Sequence, residues 1–159
     1  MRVGLISDTH GLLRADVFRV FEGVDRILHA GDVGRVEILD ELNTIAPVDA
    51  VFGNTDGWDL RPLLAADRTL ELEGHRVVVV HGDVLGSPTP AALRAAFPRA
   101  DVIVYGHTHR QLVDEQEGGA LVVNPGAAGP ARFKLKPSVA LLELVRGAAP
   151  KVELVPLGD

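Results

Sequence analysis

The apolar positions of this chain fall into two rhythms. Short runs such as Val3-Gly4-Leu5-Ile6, Ile27-Leu28, Val77-Val78-Val79-Val80 and Val102-Ile103-Val104 are strand-sized and mostly β-branched. Leu13, Val17, Val20 and Phe21 instead recur at the spacing of one helical face, as do Val36, Leu39, Leu42 and Ile45. The alternation predicts βα units, with strands over 2–7, 25–30, 48–52, 76–80 and 101–105 and a largely parallel sheet in the first two-thirds. A third helix is predicted from Thr89 to Phe97, because Pro90 suits a first turn and Pro98 stops what precedes it. Glu73-Gly74-His75 reads as the turn of a hairpin between 68–72 and 76–80, which leaves His75 exposed to solvent.

Beyond residue 110 the pattern changes. Strands are predicted over 111–117, 120–123, 138–145 and 151–156, separated by Gly-Gly and Arg-Gly-Ala-Ala turns, and this end reads as antiparallel. The expected class is α/β: two sheets packed as a β-sandwich, flanked by helices, in a single domain over 1–159.

Composition narrows the chemistry. With 159 residues, 47% of them apolar, the chain can bury one substantial core. It has no cysteine, which excludes disulfides, thiolate catalysis and sulfur-held metals, so any metal must be held by nitrogen and oxygen. A net charge of -6 argues against general nucleic-acid binding, which needs a basic face, but leaves a small phosphorylated substrate open. The first apolar run reaches Asp8 too soon for a secretory signal, and no run approaches the ~20 residues that span a bilayer. A cytoplasmic protein without membrane association is expected, and a homo-oligomer stays open.

Metal-capable side chains follow five of the predicted strands: Asp8 and His10, Asp32, Asn54, His81, then His107 and His109. In open α/β sheets the carboxyl ends of parallel strands share one edge, where ligands bind, so residues scattered from 8 to 109 can converge. Asp8-Thr9-His10 and His107-Thr108-His109 read as extended segments whose alternate side chains face one site. Each piece has an ordinary reading too, since Gly-Asp and Gly-Asn-Thr-Asp make common turns. Two histidines after an apolar strand are harder to explain unless paired or liganded. Five such features, each after its own strand, point to a metal centre. Its carboxylate, imidazole and carboxamide donors suit manganese, iron, zinc or nickel.

In order, Asp8-x-His10, Gly31-Asp32, Gly53-Asn54, His81-Gly82 and Gly106-His107-Thr108-His109 resemble the motifs of the calcineurin-like metallophosphoesterases. The resemblance implies a four-layer αββα fold and a phosphodiesterase acting on a small phosphodiester with two divalent ions, manganese first among them. It also implies that Asp8, His10 and His109 hold one ion, that Asn54, His81 and His107 hold the other, and that Asp32 bridges them. The Gly53-Asn54-Thr55-Asp56 element and Asn124-Pro125-Gly126, expected as a turn bordering the site, resemble the compact bacterial and archaeal branch, to which the retromer cargo-sorting subunit is related. Two alternatives remain: a phosphomonoesterase or protein phosphatase with the same metals, and a metal-binding interaction scaffold with little turnover.

The departures from the family pattern are specific. Thr55 stands where many relatives carry a histidine that assists the leaving group, Asp83 where many carry a second histidine, and Ala127 where many have serine. Asp56 is a candidate to compensate for the first. Asp83 either orients a neighbouring histidine or is a surface carboxylate. Arg132 is the candidate among the basic residues for a substrate phosphate, with a solvated arginine as the alternative. His29, inside an apolar strand, is expected to support the site from behind or to pack in the core rather than to bind metal.

Overall fold

The structure is a computed structural model and describes residues 1–132 and 134–158. Its elements in chain order are β1 (Arg2–Ile6), α1 (Ala15–Val20), β2 (Arg26–His29), α2 (Val36–Asn43), β3 (Val48–Ala50), β4 (Asp67–Leu72), β5 (His75–Val80), α3 (Pro90–Ala96), β6 (Val102–Val104), β7 (Leu112–Asp114), β8 (Leu121–Asn124), β9 (Ser138–Glu143) and β10 (Lys151–Pro156). They form two five-stranded sheets, ordered β10-β9-β1-β2-β3 and β4-β5-β6-β8-β7. β1, β2 and β3 run parallel in the first sheet, and β5, β6 and β8 run parallel in the second.

Strand periodicity sorts the core into layers. In β5, Val77 and Val79 enter the cluster between the sheets with Val3, Leu5, Leu28 and Val104, while Val78 and Val80 pack outward with Leu93 of α3. That is why Val77 to Val80 is continuously apolar: both faces of its sheet are covered. On the far side, Ile6 and Ile27 pack against Val17 and Phe21 of the α1 region and Ile38 and Leu42 of α2. The result is the four-layer helix-sheet-sheet-helix sandwich. Each fully buried Leu, Ile or Phe contributes roughly 1.5–3 kcal/mol through its removal from water.

Local signals are realised closely. Thr89 caps α3 by accepting a hydrogen bond from the Ala92 N–H at 3.1 Å, with Pro90 as the first helical residue. Glu73 and Gly74, at φ 50° and 76°, form a two-residue hairpin loop between β4 and β5. The turn ends one residue sooner than expected. His75 is therefore the first residue of β5, half-buried rather than exposed, with Nε2 3.1 Å from the Val145 carbonyl.

The carboxyl-terminal strands are only partly antiparallel. β7 and β8 form the expected antiparallel pair, but the other edge of β8 runs parallel to β6. A Gly-Gly turn signal identifies neighbours along the chain and is silent about the strand on the other flank. The consequence is functional, since Asn124 arrives at the same edge as the ends of β5 and β6. Among the described residues, no helix is long and apolar enough to cross a membrane.

Candidate metal centre

The ends of β1, β2 and β3 meet those of β5, β6 and β8 along one rim, and loops lock them together. Residues 8–11 run beside 31–33 through Asp8 N–H to Gly31 O at 3.0 Å, His10 N–H to Asp32 O at 2.9 Å and Gly11 N–H to Val33 O at 2.9 Å. Between the sheets, the His107 N–H donates to Asp8 Oδ2 at 3.2 Å. Two glycines make this closeness attainable: a Cβ on Gly106 would collide with Ser7 Oγ and the Asp8 carboxylate, and one on Gly53 would collide with the Asp32 carboxylate.

Two groups of donor atoms, Asp8-His10-His109 and Asp8-Asp32-His81, each lie within 4.8 Å of one another. Asn54 adjoins the second group, its Oδ1 3.0 Å from His81 Nε2. His107 stands beside it with its ring edge-on to His81, centroids 5.2 Å apart, but belongs to neither group. Thus all seven residues expected as ligands surround one locus, six of them through close donor-atom approaches and His107 through ring contact.

The backbone that achieves this is not extended. Asp8, His10, Asp32, His107 and His109 all have left-handed φ, between 46° and 71°. In Asp8-x-His10 and His107-x-His109 the side chains converge through alternating left-handed residues rather than through strand periodicity. Such conformations cost L-residues roughly 1–2 kcal/mol each, somewhat less for Asp and His, and collect where function requires them.

The electrostatics call for positive charge. Asp8 is fully buried; its Oδ2 accepts from Ser7 Oγ at 2.7 Å, but Oδ1 has no hydrogen-bond partner. Burial would raise the Asp8 pKa, yet the facing rings of His10 and His109, the charge of His81 and the Ser7 hydroxyl hold it well below the usual carboxylate range. His81 Nδ1 lies 2.8 Å from Ala30 O, which places a proton on Nδ1. Its Nε2 then faces two oxygens, Asn54 Oδ1 at 3.0 Å and Asp32 Oδ2 at 3.2 Å. That approach is favourable only with a cation between them. In the metal-free protein a proton serves: burial opposes it, but the Asp32 hydrogen bond and the charges of Asp8 and Asp32 push the His81 pKa up to about 9. Asp32 is shifted the other way, its carboxyl lowered despite burial by His81 and by the Thr55 N–H at 2.9 Å.

The remaining candidates are placed as follows. Thr55 is exposed beside Asn54, with its backbone N–H on Asp32. Asp56 is buried, and its carboxylate accepts from the N–H groups of Val33 at 3.1 Å, Gly34 at 2.9 Å and Gly53 at 2.9 Å. It staples the Asn54 loop to the Asp32 loop. Asp83 is half-buried on a 3-10 turn, Asp83–Leu85, and among the described residues its carboxylate bonds to no site histidine. Arg132 is exposed. His29 is fully buried behind the site: its Nδ1 accepts from the Gly31 N–H at 3.1 Å and its Nε2 meets Thr9 Oγ1 at 3.0 Å, while that hydroxyl donates to Val33 O. Burial pulls its pKa down to about 4, so it is neutral.

One residue was read only as part of a turn. Asn124, fully buried, donates from Nδ2 to Gly106 O at 3.2 Å and Thr108 Oγ1 at 3.0 Å, clamping the loop that carries His107 and His109. Its position at the end of a strand, like that of every candidate ligand, was the available signal.

Comparison with known proteins agrees with this geometry. A model described as the calcineurin-like phosphoesterase superfamily domain matches residues 1–147. A probable metallophosphoesterase of Methanothermobacter thermautotrophicus is 38% identical, covering 94% of this chain and 95% of its own length. The phosphodiesterase YfcE of Escherichia coli K12 is 31% identical, covering 80% and 79%. Among solved structures, vacuolar protein sorting 29 of Cryptosporidium parvum has the same fold, with a TM-score of 0.79 over 99% of this chain and 98% of that one at 24% identity. The chain belongs to the calcineurin-like phosphoesterase superfamily and is a hydrolase of phosphoric esters.

Proposed function

We propose that this protein is a phosphodiesterase working with two divalent ions at the shared rim of its sheets. The observation that carries the reading is Asp8 Oδ1: buried and unpartnered, it lies 3.4 Å from His109 Nε2, 3.7 Å from His10 Nε2 and 4.0 Å from His81 Nε2. An anionic oxygen among three ring nitrogens fits a cation, and the sulfur-free donor set suits manganese, iron, zinc or nickel, with manganese the first to test. Asp8, His10 and His109 would hold one ion and Asn54, His81 and His107 the other. Asp32 would serve both, since its Oδ2 is 3.7 Å from His10 Nε2 and 3.2 Å from His81 Nε2.

Two ions so held would supply Lewis-acid polarisation of a phosphoryl oxygen and a nucleophilic hydroxide near neutral pH. The chain contributes rigidity: Ser7 and the His107 N–H orient Asp8, Ala30 O orients His81, and the Thr55 N–H orients Asp32. Three side chains near the rim that are not candidate ligands are poorly suited to protonating a departing alcohol. Thr55 is not acidic, Asp56 is occupied by three backbone donors, and His29 is buried with both nitrogens engaged. General acid catalysis is worth roughly 10²–10⁴-fold, so rates should depend steeply on leaving-group acidity. A small diester in the cytoplasm is the expected substrate.

Metal-reconstituted kinetics test the reading. Bis(nitrophenyl) phosphate should be hydrolysed, nitrophenyl phosphate at least about tenfold more slowly, and diesters with alkyl leaving groups far more slowly still. Preference for the monoester would favour a phosphomonoesterase, and equal rates for aryl and alkyl leaving groups would remove the leaving-group argument. Activity surviving in Asp32→Ala would rule out the two-metal mechanism.

A further inference from the structure

We propose that the cavity beside His109 is a subsite for a second anion, so that the diester this protein hydrolyses carries a further phosphate on one of its ester groups. The inference rests on the phosphodiesterase reading above and extends it to substrate class. The cavity has a volume of about 630 Å³, enough for a nucleotide-sized group. His109 belongs to both spaces: its Nε2 faces Asp8 in the candidate centre, and the residue also forms part of the cavity wall. A diester bound at the centre can therefore extend past His109 without leaving the protein surface.

The wall has a distinct charge. In a chain of net charge -6, two of its three lysines, Lys134 and Lys136, line this one cavity together with Arg110. No carboxylate stands among the described residues of the wall. Several arginines elsewhere are paired with carboxylates: Arg26 and Arg68 with Asp49, Arg76 with Glu71 and Arg94 with Asp114. Among the described residues, Arg110, Lys134 and Lys136 form no ion pair. Arg110 leaves a fixed segment, because its N–H is held by Thr108 Oγ1 at 3.2 Å and that hydroxyl is held by Asn124. Lysine ammonium groups and a guanidinium are suited to phosphate oxygens, while Leu135 and Leu154 offer apolar wall for the organic part of the substrate. A plain diester would use none of these charges.

Isothermal titration calorimetry on the manganese-loaded protein tests the proposal with AMP and 3′-phosphorylated AMP. The doubly phosphorylated ligand should bind at least about tenfold tighter. That ratio should collapse toward one in the Lys134→Gln/Lys136→Gln double variant and persist in Lys151→Gln, which alters the third lysine. A ratio near one in the unaltered protein, or a preference that survives the double variant, overturns the subsite. Hydrolysis is scored separately. Preferential binding without diester turnover keeps the subsite and removes the phosphodiesterase reading, whereas turnover of simple aryl diesters without preferential binding does the reverse.

Discussion

The Nε2 atoms of His10 and His109, 99 positions apart in the chain, face each other across 3.3 Å. Two ring nitrogens tolerate that approach only through a proton or a metal cation. Divalent metal should therefore stabilise the fold strongly. With free ion at a hundred times its dissociation constant, each site adds about 2.7 kcal/mol. For a chain of this size that corresponds to a rise in melting temperature of roughly 5–10 °C. Calorimetry with manganese and then with chelator should show the rise and its reversal, and His10→Ala should lose much of it. A melting temperature indifferent to metal would contradict the assignment.

His81 makes metal binding dependent on pH. Its pKa in the metal-free fold is about 9, above the ordinary value of 6.5, so the proton's contribution to stability is fully present below pH 6.5 and is lost as pH rises through about 9. A metal ion taking Nε2 must displace that proton. Affinity should therefore climb by up to about tenfold per pH unit below the pKa, with a proton released on binding. Titrations in buffers of different ionisation enthalpy measure the release directly. An affinity flat between neutral pH and the pKa would mean that His81 is not a ligand.

Asp56 is a structural staple whose removal should reach the metal centre. Asp56→Ala leaves the N–H groups of Val33, Gly34 and Gly53 without their acceptor. Bonds to a charged acceptor are worth about 1.5–3 kcal/mol each and add incompletely, so a loss of roughly 3–5 kcal/mol is expected in urea unfolding. Asp56→Asn, which keeps one carbonyl oxygen, should fall between, with weakened metal affinity as Asn54 loosens.

Thr55→His should supply the missing acid. If the imidazole reaches the departing oxygen, the rate on alkyl diesters should rise by roughly 10²-fold, while the rate on nitrophenyl diesters changes little, since nitrophenolate needs no proton to leave. The slope of log kcat/KM against leaving-group pKa should flatten. An unchanged slope would show that the leaving group is assisted from elsewhere.

The legible part of this protein was the part written in local pattern. Val77 to Val80 announced a strand covered on both faces, and the candidate ligands stood out by following strands. What stayed hidden depended on contacts distant in sequence. Nothing near Leu121 indicates that β8 runs parallel to β6, and hence that Asn124 clamps the His107 loop. Asp56 looked like a turn residue because its three donors, at 33, 34 and 53, lie on two different loops. Arg132 was the basic residue expected to meet a substrate phosphate, yet the cations of the cavity are Arg110, Lys134 and Lys136, the first brought to the other two from 24 or more positions away by folding alone. The left-handed backbone of five candidate ligands was likewise invisible, because it arises from the tightness of the rim and not from the residue types.

The opposite rim holds none of the seven candidate ligands. There the Glu73–Gly74 hairpin, the Gly118-Gly119 turn before β8 and the turn between β9 and β10 close the strands away from the candidate centre. Gly118, at φ 74°, is held to glycine by its backbone, but the space around it is open: nothing lies within 4 Å of an added Cβ. An extra loop or a reporter peptide grafted at that point should leave every candidate ligand in place. The same asymmetry gives lineages a free margin on which to elaborate, so that differences in size among relatives should accumulate on that rim.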